Sequence, residues 1–270
     1  EGTFLNHLDS GTSDAKTLTI SFWVRSSKTG TYCFQIRDVT PADHVLIEYT
    51  ISSANTWEHK TLTFTGNTTG TATATTGSGY DLHWHLAAGS DDHASASNNA
   101  FADNSGNLFK ATSNQVNLFD SATAEWYITG VQFEVGNQAS EFEHVPFDVQ
   151  LQRCRRYLQR VDAAGSDYGS FGVGNNANAT SSVGHQMLSP NMRAVPTLIT
   201  TGTAANYSIF NAGTGVDACT SVPAINGGGG TGSQVRLEFI SSGNLTSGGV
   251  SEQISSDGVA AYLMFTAELN

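Results

Sequence analysis

The chain has 270 residues, which is long enough to bury a sizeable core without disulfide bonds or metal ions. Charged residues make up only 13% of it and the formal net charge is −12, so the surface repels phosphate backbones and no nucleic acid partner is expected. No apolar run approaches the roughly 18 residues of a membrane span, so no membrane insertion is expected either.

Apolar and polar residues alternate through the first half of the chain with a period of two, the pattern of half-buried β-strands. Clusters of Gly, Asn, Ser and Asp separate the alternating runs and mark turns. The runs cover residues 18–24, 32–36, 45–51, 62–64, 82–86 and 131–135. Many short strands with one apolar face predict an all-β fold, here a jelly-roll β-sandwich.

One run at 82–86 carries two imidazoles on its polar face. Alternation places Leu82, Trp84 and Leu86 toward the core and leaves His83 and His85 together on the opposite side. Two imidazoles at positions i and i+2 can chelate a transition metal or hydrogen-bond a sugar. The alternative is a solvated strand face.

Acidic residues near this strand are weak metal candidates. Asp91, Asp92 and His93 follow in the next loop and would add ligands for a metal ion. Other carboxylates are scattered and have no Asp-x-Asp-x-Asp spacing, so a structural calcium ion is an open alternative without an assignable site. No other cofactor is expected.

Four tryptophans are candidate platforms for stacking against sugar rings. Trp23 does not lie on the apolar face of its strand. Trp57, Trp84 and Trp126 are expected to pack in the core, with a position at the rim as the alternative for Trp57, which precedes a strand. Trp23 and Trp57 are therefore the candidate ligand-binding residues among them.

A single helix is predicted from about Asp148 to Val161. Leu151, Cys154 and Leu158 fall on one helical face together with Val161, and Asp148 is the expected N-cap. Because a short apolar stripe between two β regions has little else to bury against, these three residues are the expected contacts between copies of the chain.

The second half resumes with further strands at residues 195–200, 206–210, 235–240 and 259–269. The predicted organisation is a jelly-roll domain at 1–146, a connecting helix at 147–161 and a smaller β-sandwich domain at 162–270. Tyr168, Phe171 and Asn175 are assigned to a loop of the distal domain. Exposed aromatic and amide groups in such a loop suit receptor contact, and the alternative is an ordinary inter-strand loop.

The three cysteines are far apart in the sequence, at Cys33, Cys154 and Cys219. Without a Cys-x-x-Cys pair they predict neither a zinc site nor a disulfide framework. The pattern is typical of free thiols in a protein that is assembled in a reducing cytosol.

Several segments together resemble a family of tailed-bacteriophage fibre proteins, in which a carbohydrate-binding-module-like jelly roll precedes a small β-rich distal domain. The segments are LTISFWVRSSKTGTYCFQIRD, ANTWEHKTLTFTGNTTG, WYITGVQFEVG, FEHVPFDVQLQRCRRYLQR and LSPNMRAVPTLIT. The resemblance implies a virion component of the phage tail or fibre, assembled in the host cytoplasm. It further implies a homotrimer that contacts other tail proteins and attaches to a host-surface glycan. Because the family usually has additional strands ahead of the position of Glu1, the resemblance also implies that the jelly-roll domain at 1–146 lacks upstream strands.

Two other functions stay open at this point. A structural spacer or decoration protein of the virion would have no ligand of its own, and a tail spike would degrade polysaccharide. The sequence contains no Gly-x-Ser-x-Gly, His-Glu-x-x-His or P-loop motif, so no enzymatic activity is expected.

Overall fold

The computed structural model describes residues 1–39, 43–69, 75–94, 96–102, 109–163 and 168–268. Within these residues the chain forms two compact units, Glu1–His144 and Val145–Glu268. Each unit is built mainly from antiparallel strands around an apolar core of its own.

The first unit contains two three-stranded sheets and a short parallel pair. Its strands are β1 (Leu18–Ser26), β2 (Gly30–Asp38), β3 (His44–Ile51), β4 (Glu58–Phe64), β5 (Tyr80–His85), β6 (His93–Ala94), β7 (Ala111–Thr112) and β8 (Trp126–Val135). The sheets have the orders β4-β1-β8 and β3-β2-β5, and β6 pairs with β7. Short 3-10 helices occupy Gly2–Leu8, Ser90–Asp92 and Leu118–Asp120.

The two sheets of the first unit bury their facing sides in one core. Alternate residues of the central strands β1 and β2 are fully buried, namely Leu18, Ile20, Phe22, Val24, Tyr32, Phe34 and Ile36. The Phe22 ring meets the Trp84 ring edge-on at 5.6 Å, and Trp126 packs against the same cluster. Burial of alternate side chains from both sheets confirms the predicted β-sandwich and the packing of Trp84 and Trp126 against its core. Trp57 is 42% exposed, so its expected core packing was wrong and the alternative position outside the core is confirmed.

A small second cluster covers part of the outer face of the β3-β2-β5 sheet. Cys33, Leu46 and Ala111 are buried together there. The segment from Ala111 to Gln115 packs on this face, and the Gln115 side chain bonds it to the sheet. Its Oε1 accepts from the backbone N–H of Cys33 at 2.7 Å, and its Nε2 donates to the carbonyl of His85 at 3.1 Å. The rest of this face stays open as a cleft, described below.

The second unit begins with the helix α1 (Phe147–Arg155) and continues with ten strands. These are β9 (Leu158–Ala163), β10 (Ser170–Asn176), β11 (Ser181–Met187), β12 (Thr197–Thr200), β13 (Tyr207–Asn211), β14 (Gly215–Ala218), β15 (Ala224–Gly230), β16 (Gln234–Ile240), β17 (Val250–Ser255) and β18 (Ala261–Thr266). They form a seven-stranded sheet, β14-β13-β17-β10-β11-β16-β15, and a three-stranded sheet, β12-β18-β9. The predicted last strand ends at Thr266, and its predicted end at Leu269 lies outside the described residues.

The helix begins at Phe147 as predicted, but its predicted C-terminal end and N-cap were wrong. α1 ends at Arg155, and Leu158 and Val161 lie on β9, where both pair with β18. Pairing with a distant strand satisfies the backbone of this segment and overrides its local helical period. The N-cap is Pro146 rather than Asp148, and it makes no side-chain capping bond. No helix in the described ranges is long and apolar enough to cross a membrane.

The predicted loop around Phe171 was also wrong. Phe171 and Asn175 lie on β10, and Phe171 is only 7% exposed. Its ring packs 5.7 Å from that of Tyr207 and 6.2 Å from that of Phe239, in the core of the second unit. Phe171 therefore stabilises the fold and is not a surface contact.

Candidate functional site

Exposed aromatic rings gather on the outer face of the β4-β1-β8 sheet, which we call the aromatic face. Trp23 on β1, Trp57 just before β4 and Tyr127 on β8 expose 43%, 42% and 43% of their surfaces. The rings of Trp57 and Tyr127 lie 6.5 Å apart, and the Arg25 guanidinium lies 5.5 Å from the Tyr127 ring centre. Several exposed rings on one sheet surface form a patch suited to ligand binding.

A β-bulge in β8 shapes this face beside Trp23. The register between β1 and β8 shifts between Ser21 and Trp23, and Gly130 adopts φ +58°. A Cβ atom on residue 130 would lie 3.2 Å from Cδ1 of Trp23, so glycine suits both the backbone conformation and the closeness of the indole. The bulge also leaves Val131 40% exposed, although uninterrupted alternation predicts it on the apolar face.

The chain that follows β8 forms one wall of a cleft of 360 Å³ beside Trp23. Glu134 holds this wall in place by accepting bonds from the backbone N–H and the hydroxyl of Ser140, at 2.9 and 2.8 Å. These bonds favour the charged carboxylate and lower the pKa of Glu134. The cleft is lined by Ser21, Trp23, His59, Gly130, Ala139, Ser140, Glu141 and Phe142. It combines exposed rings with hydroxyl, imidazole and carboxylate groups.

A second cleft, of 480 Å³, opens on the outer face of the β3-β2-β5 sheet, and we call it the histidine cleft. His83 and His85 share this face, as alternation predicts, with ring centres 5.9 Å apart. His83 Nδ1 and His85 Nε2 lie 3.2 and 3.4 Å from Oε1 of Gln35. Gln35 is 3% exposed and its Nε2 donates to the Phe109 carbonyl at 2.5 Å, which orients the amide oxygen toward the imidazoles.

Cationic side chains complete the histidine cleft. Arg37 lines it and forms an ion pair with Asp81, and Lys110 lines it with its Nζ 2.8 Å from Oδ1 of Asp92. Burial first, and then the neighbouring imidazole and the Lys110 ammonium, lower the pKa of His85 to about 4. His85 is therefore neutral at pH 7.

The metal candidates are not brought together. Within the described part of the chain, no group of three or more His, Cys, Asp or Glu side chains is arranged to hold a metal ion. Asp92 is paired with Lys110, and Asp91 accepts a 3.4 Å bond from the Ser90 hydroxyl. Asp91, Asp92 and His93 thus gain no support as ligands, and a structural calcium ion stays a prediction.

In the second unit, two of the three predicted ligand-binding residues are exposed. Tyr168 precedes β10, has φ 55° and is 41% exposed. Asn175 is exposed on β10, where it pairs with Val183 of β11 and Val250 of β17. The third, Phe171, is a core residue, so the predicted trio does not form one site.

The predicted contacts between copies do not form one helical stripe. Leu151 is half-buried and Cys154 exposed on α1, whereas Leu158 is 41% exposed on β9. Leu151 and Leu158 nevertheless line one cleft of 390 Å³ with Met187, which is 66% exposed. A helix and two strands therefore build this apolar surface.

A comparison of the sequence with known protein families finds no match, and a comparison with curated proteins finds none.

The sequence did not identify several residues that line the two clefts, which are His59, Phe142, Gln35, Arg37 and Lys110, nor Tyr127 on the aromatic face. A glycine inside a strand is a signal for a bulge, so Gly130 could have predicted the bulge in β8 and the exposure of Val131. Gln35 and Arg37 follow the alternation of β2 and were predictable as neighbours of the histidines once the pairing of β2 with β5 was known. Lys110 lies in a segment without periodicity, which carried no signal.

Proposed function

We propose that this protein is a non-enzymatic component of a phage tail fibre that attaches to host-surface glycan through the aromatic face. The observation that carries the proposal is the set of exposed rings on one sheet surface, Trp23, Trp57 and Tyr127. A rigid sheet holds these rings in place, so little side-chain freedom is lost when a ligand binds.

The chemistry of the aromatic face suits a sugar. The apolar face of a pyranose ring packs against the flat face of an indole, and its hydroxyl groups need polar partners around that ring. Beside Trp23 the cleft supplies these partners, with Ser140, Glu141 and His59 along its walls. Hydrogen bonds from such groups to sugar hydroxyls would fix the orientation of a stacked ring.

The assignment to a virion depends on the sequence resemblance to tail-fibre proteins. Such a component acts as a homotrimer and binds other tail proteins, and it is assembled in the host cytoplasm. The exposed apolar surface formed by Leu151, Leu158 and Met187 is the proposed contact between copies. Its exposure in the single chain supports this assignment, because large exposed apolar surfaces mark interaction sites.

Binding to an array of bacterial surface polysaccharides tests the proposal, with the Trp23→Ala variant beside the unmodified chain. Removal of a stacking indole should weaken binding by about tenfold or more. The reason is that a ring stacked on an exposed aromatic side chain contributes on the order of 1 to 3 kcal/mol to the free energy of binding. Phe119→Ala is the matched control, since Phe119 is 73% exposed on a 3-10 helix outside the sheets. It should bind as the unmodified chain does.

Three outcomes would contradict the proposal. Equal binding by Trp23→Ala would place the ligand elsewhere, and an array without any bound polysaccharide would favour a structural spacer. Release of reducing sugar from a bound polysaccharide would make the protein a degrading tail spike instead.

A further inference from the structure

The histidine cleft brings nitrogen-bearing side chains together in a chain of net charge −12. Gln35, Arg37, His83, His85 and Lys110 are its polar lining residues, and none of the described lining residues is acidic. N–H donors that face one opening can bind the oxygen atoms of an anionic group.

Donor groups remain available in the cleft although its two permanent cations have carboxylate partners. Lys110 carries three N–H donors and contacts one oxygen of Asp92, and half of its side chain is exposed. Arg37 contacts Asp81 through one terminal nitrogen, and its Nε is buried and out of reach of a ligand. A ligand oxygen can therefore bind to Lys110 without displacing either ion pair.

The electrostatics of the cleft favour an anion over a metal ion. Two histidines on one strand are a metal-binding pattern, but Lys110 and Arg37 line the same opening and repel a cation. Burial first, and then His83 and Lys110, lower the pKa of His85, so at neutral pH this imidazole is uncharged and acts as a hydrogen-bonding group.

We propose that the histidine cleft binds the carboxylate of an acidic sugar, with Lys110 as its charge partner. A carboxylate oxygen accepts a charge-assisted hydrogen bond from an ammonium group, and such a bond is stronger than one between neutral groups. The two imidazoles hydrogen-bond the sugar hydroxyls, and the buried Gln35 amide, which is bonded to the Phe109 carbonyl, orients both rings.

This inference rests on the proposed function for the nature of its ligand, a glycan, and deepens it by naming the sugar class. It uses a different sheet from the aromatic face. The two proposals therefore fail separately.

Titration of the whole chain with oligogalacturonate tests the inference, with neutral glucose oligosaccharides of equal length as the comparison. Calorimetry should detect binding of the acidic oligosaccharide, and its affinity should fall as salt is added. Lys110→Gln should weaken this binding about tenfold, the loss expected for one charge-assisted hydrogen bond. Binding of neutral polysaccharide at the aromatic face should not change.

Lys28→Gln is the matched control, because Lys28 also forms a surface ion pair with an aspartate, Asp120. It removes the same charge from the first unit away from the cleft, and should bind oligogalacturonate as the unmodified chain does. Trp23→Ala should also keep this binding.

Absence of oligogalacturonate binding at millimolar concentration would overturn the inference. Equal losses in Lys110→Gln and Lys28→Gln would do so too, because they would indicate an effect of net charge alone. Stoichiometric zinc binding that is abolished by His83→Gln would identify the cleft as a metal site and would likewise overturn it.

Discussion

His85 sits half-buried beside an ammonium and a second imidazole, and this position couples protonation to folding. Burial first, and then His83 and Lys110, lower the pKa of His85 from 6.5 to about 4. The unfolded chain therefore takes up a proton at higher pH than the folded chain does. The stability contributed by neutral His85 is fully present above pH 6.5 and is lost as the pH falls toward 4.

Replacement of His85 by Gln removes this titrating group and keeps a hydrogen-bonding side chain. The free energy of unfolding should then decrease less between pH 6.5 and pH 4 than it does in the unmodified chain. Urea denaturation at a series of pH values measures this difference. His7→Gln, the same change at an exposed position, should leave the pH dependence as it is, and an equal effect of both changes would count against the assignment.

Single residues differed in how well their surroundings were predictable. Trp84 follows a strict two-residue alternation, and its core position followed from that pattern alone. Phe171 stands between glycines, Gly169 and Gly172, so no alternation marked it as a buried strand residue. Its burial depends on Tyr207 and Phe239, which are distant in sequence and become neighbours only in the folded unit.

At the level of elements, the bulge in β8 determines how Trp23 is presented. Gly130→Ala would force φ +58° on a residue with a Cβ and would place that atom against the indole. The left-handed conformation alone should cost about 1 to 2 kcal/mol. Urea denaturation should show this loss, and tryptophan fluorescence should report a displaced Trp23.

The Gly136→Ala variant is the control that separates backbone strain at a positive φ from the contact of an added Cβ with Trp23. Gly136 also has a positive φ, +134°, but nothing lies within 4 Å of its added Cβ. This variant should lose stability without a change in the emission of the folded state. If both variants shift the emission alike, the contact between residue 130 and Trp23 is not the cause.

The helix boundary shows where local periodicity misleads. Residues 151, 154, 158 and 161 fit a helical face, yet the chain leaves the helix after Arg155. β9 satisfies a two-residue pattern equally well and gains a ladder with β18. Arg160, predicted on the helix, stacks over the Tyr262 ring at 4.3 Å and pairs with Asp162 at 2.6 Å. The pairing with β18 and the contact with Tyr262 join segments about a hundred residues apart, so a local sequence window does not reveal them.

At the scale of the whole molecule, the four tryptophans all belong to the first unit. Tryptophan fluorescence therefore follows the first unit, whereas far-ultraviolet circular dichroism follows both. The predicted β-sandwich character is confirmed for the whole chain, since each half repeats the alternating pattern. The order of the strands within each sheet was not predictable, because alternation identifies strands but not their partners.

The Phe171→Ala variant changes the second unit, and the location of all four tryptophans in the first unit allows the two units to be followed separately. Loss of a buried ring in the second core should cost about 3 to 5 kcal/mol. The transition seen by circular dichroism should shift to lower urea, while the transition seen by tryptophan fluorescence stays in place. Phe210→Ala is the control, because Phe210 lies in the same unit and is 41% exposed. A comparable shift in that control would contradict the assignment of Phe171 to the core.

The cysteines differ sharply in accessibility, since Cys33 and Cys219 are buried and Cys154 is exposed. Burial raises the pKa of the Cys219 thiol to about 12 and also raises that of Cys33, which keeps both unreactive. A maleimide dye will consequently attach to the native chain at one defined place. Each copy then carries a single fluorophore, and stepwise photobleaching of immobilised particles counts the copies directly.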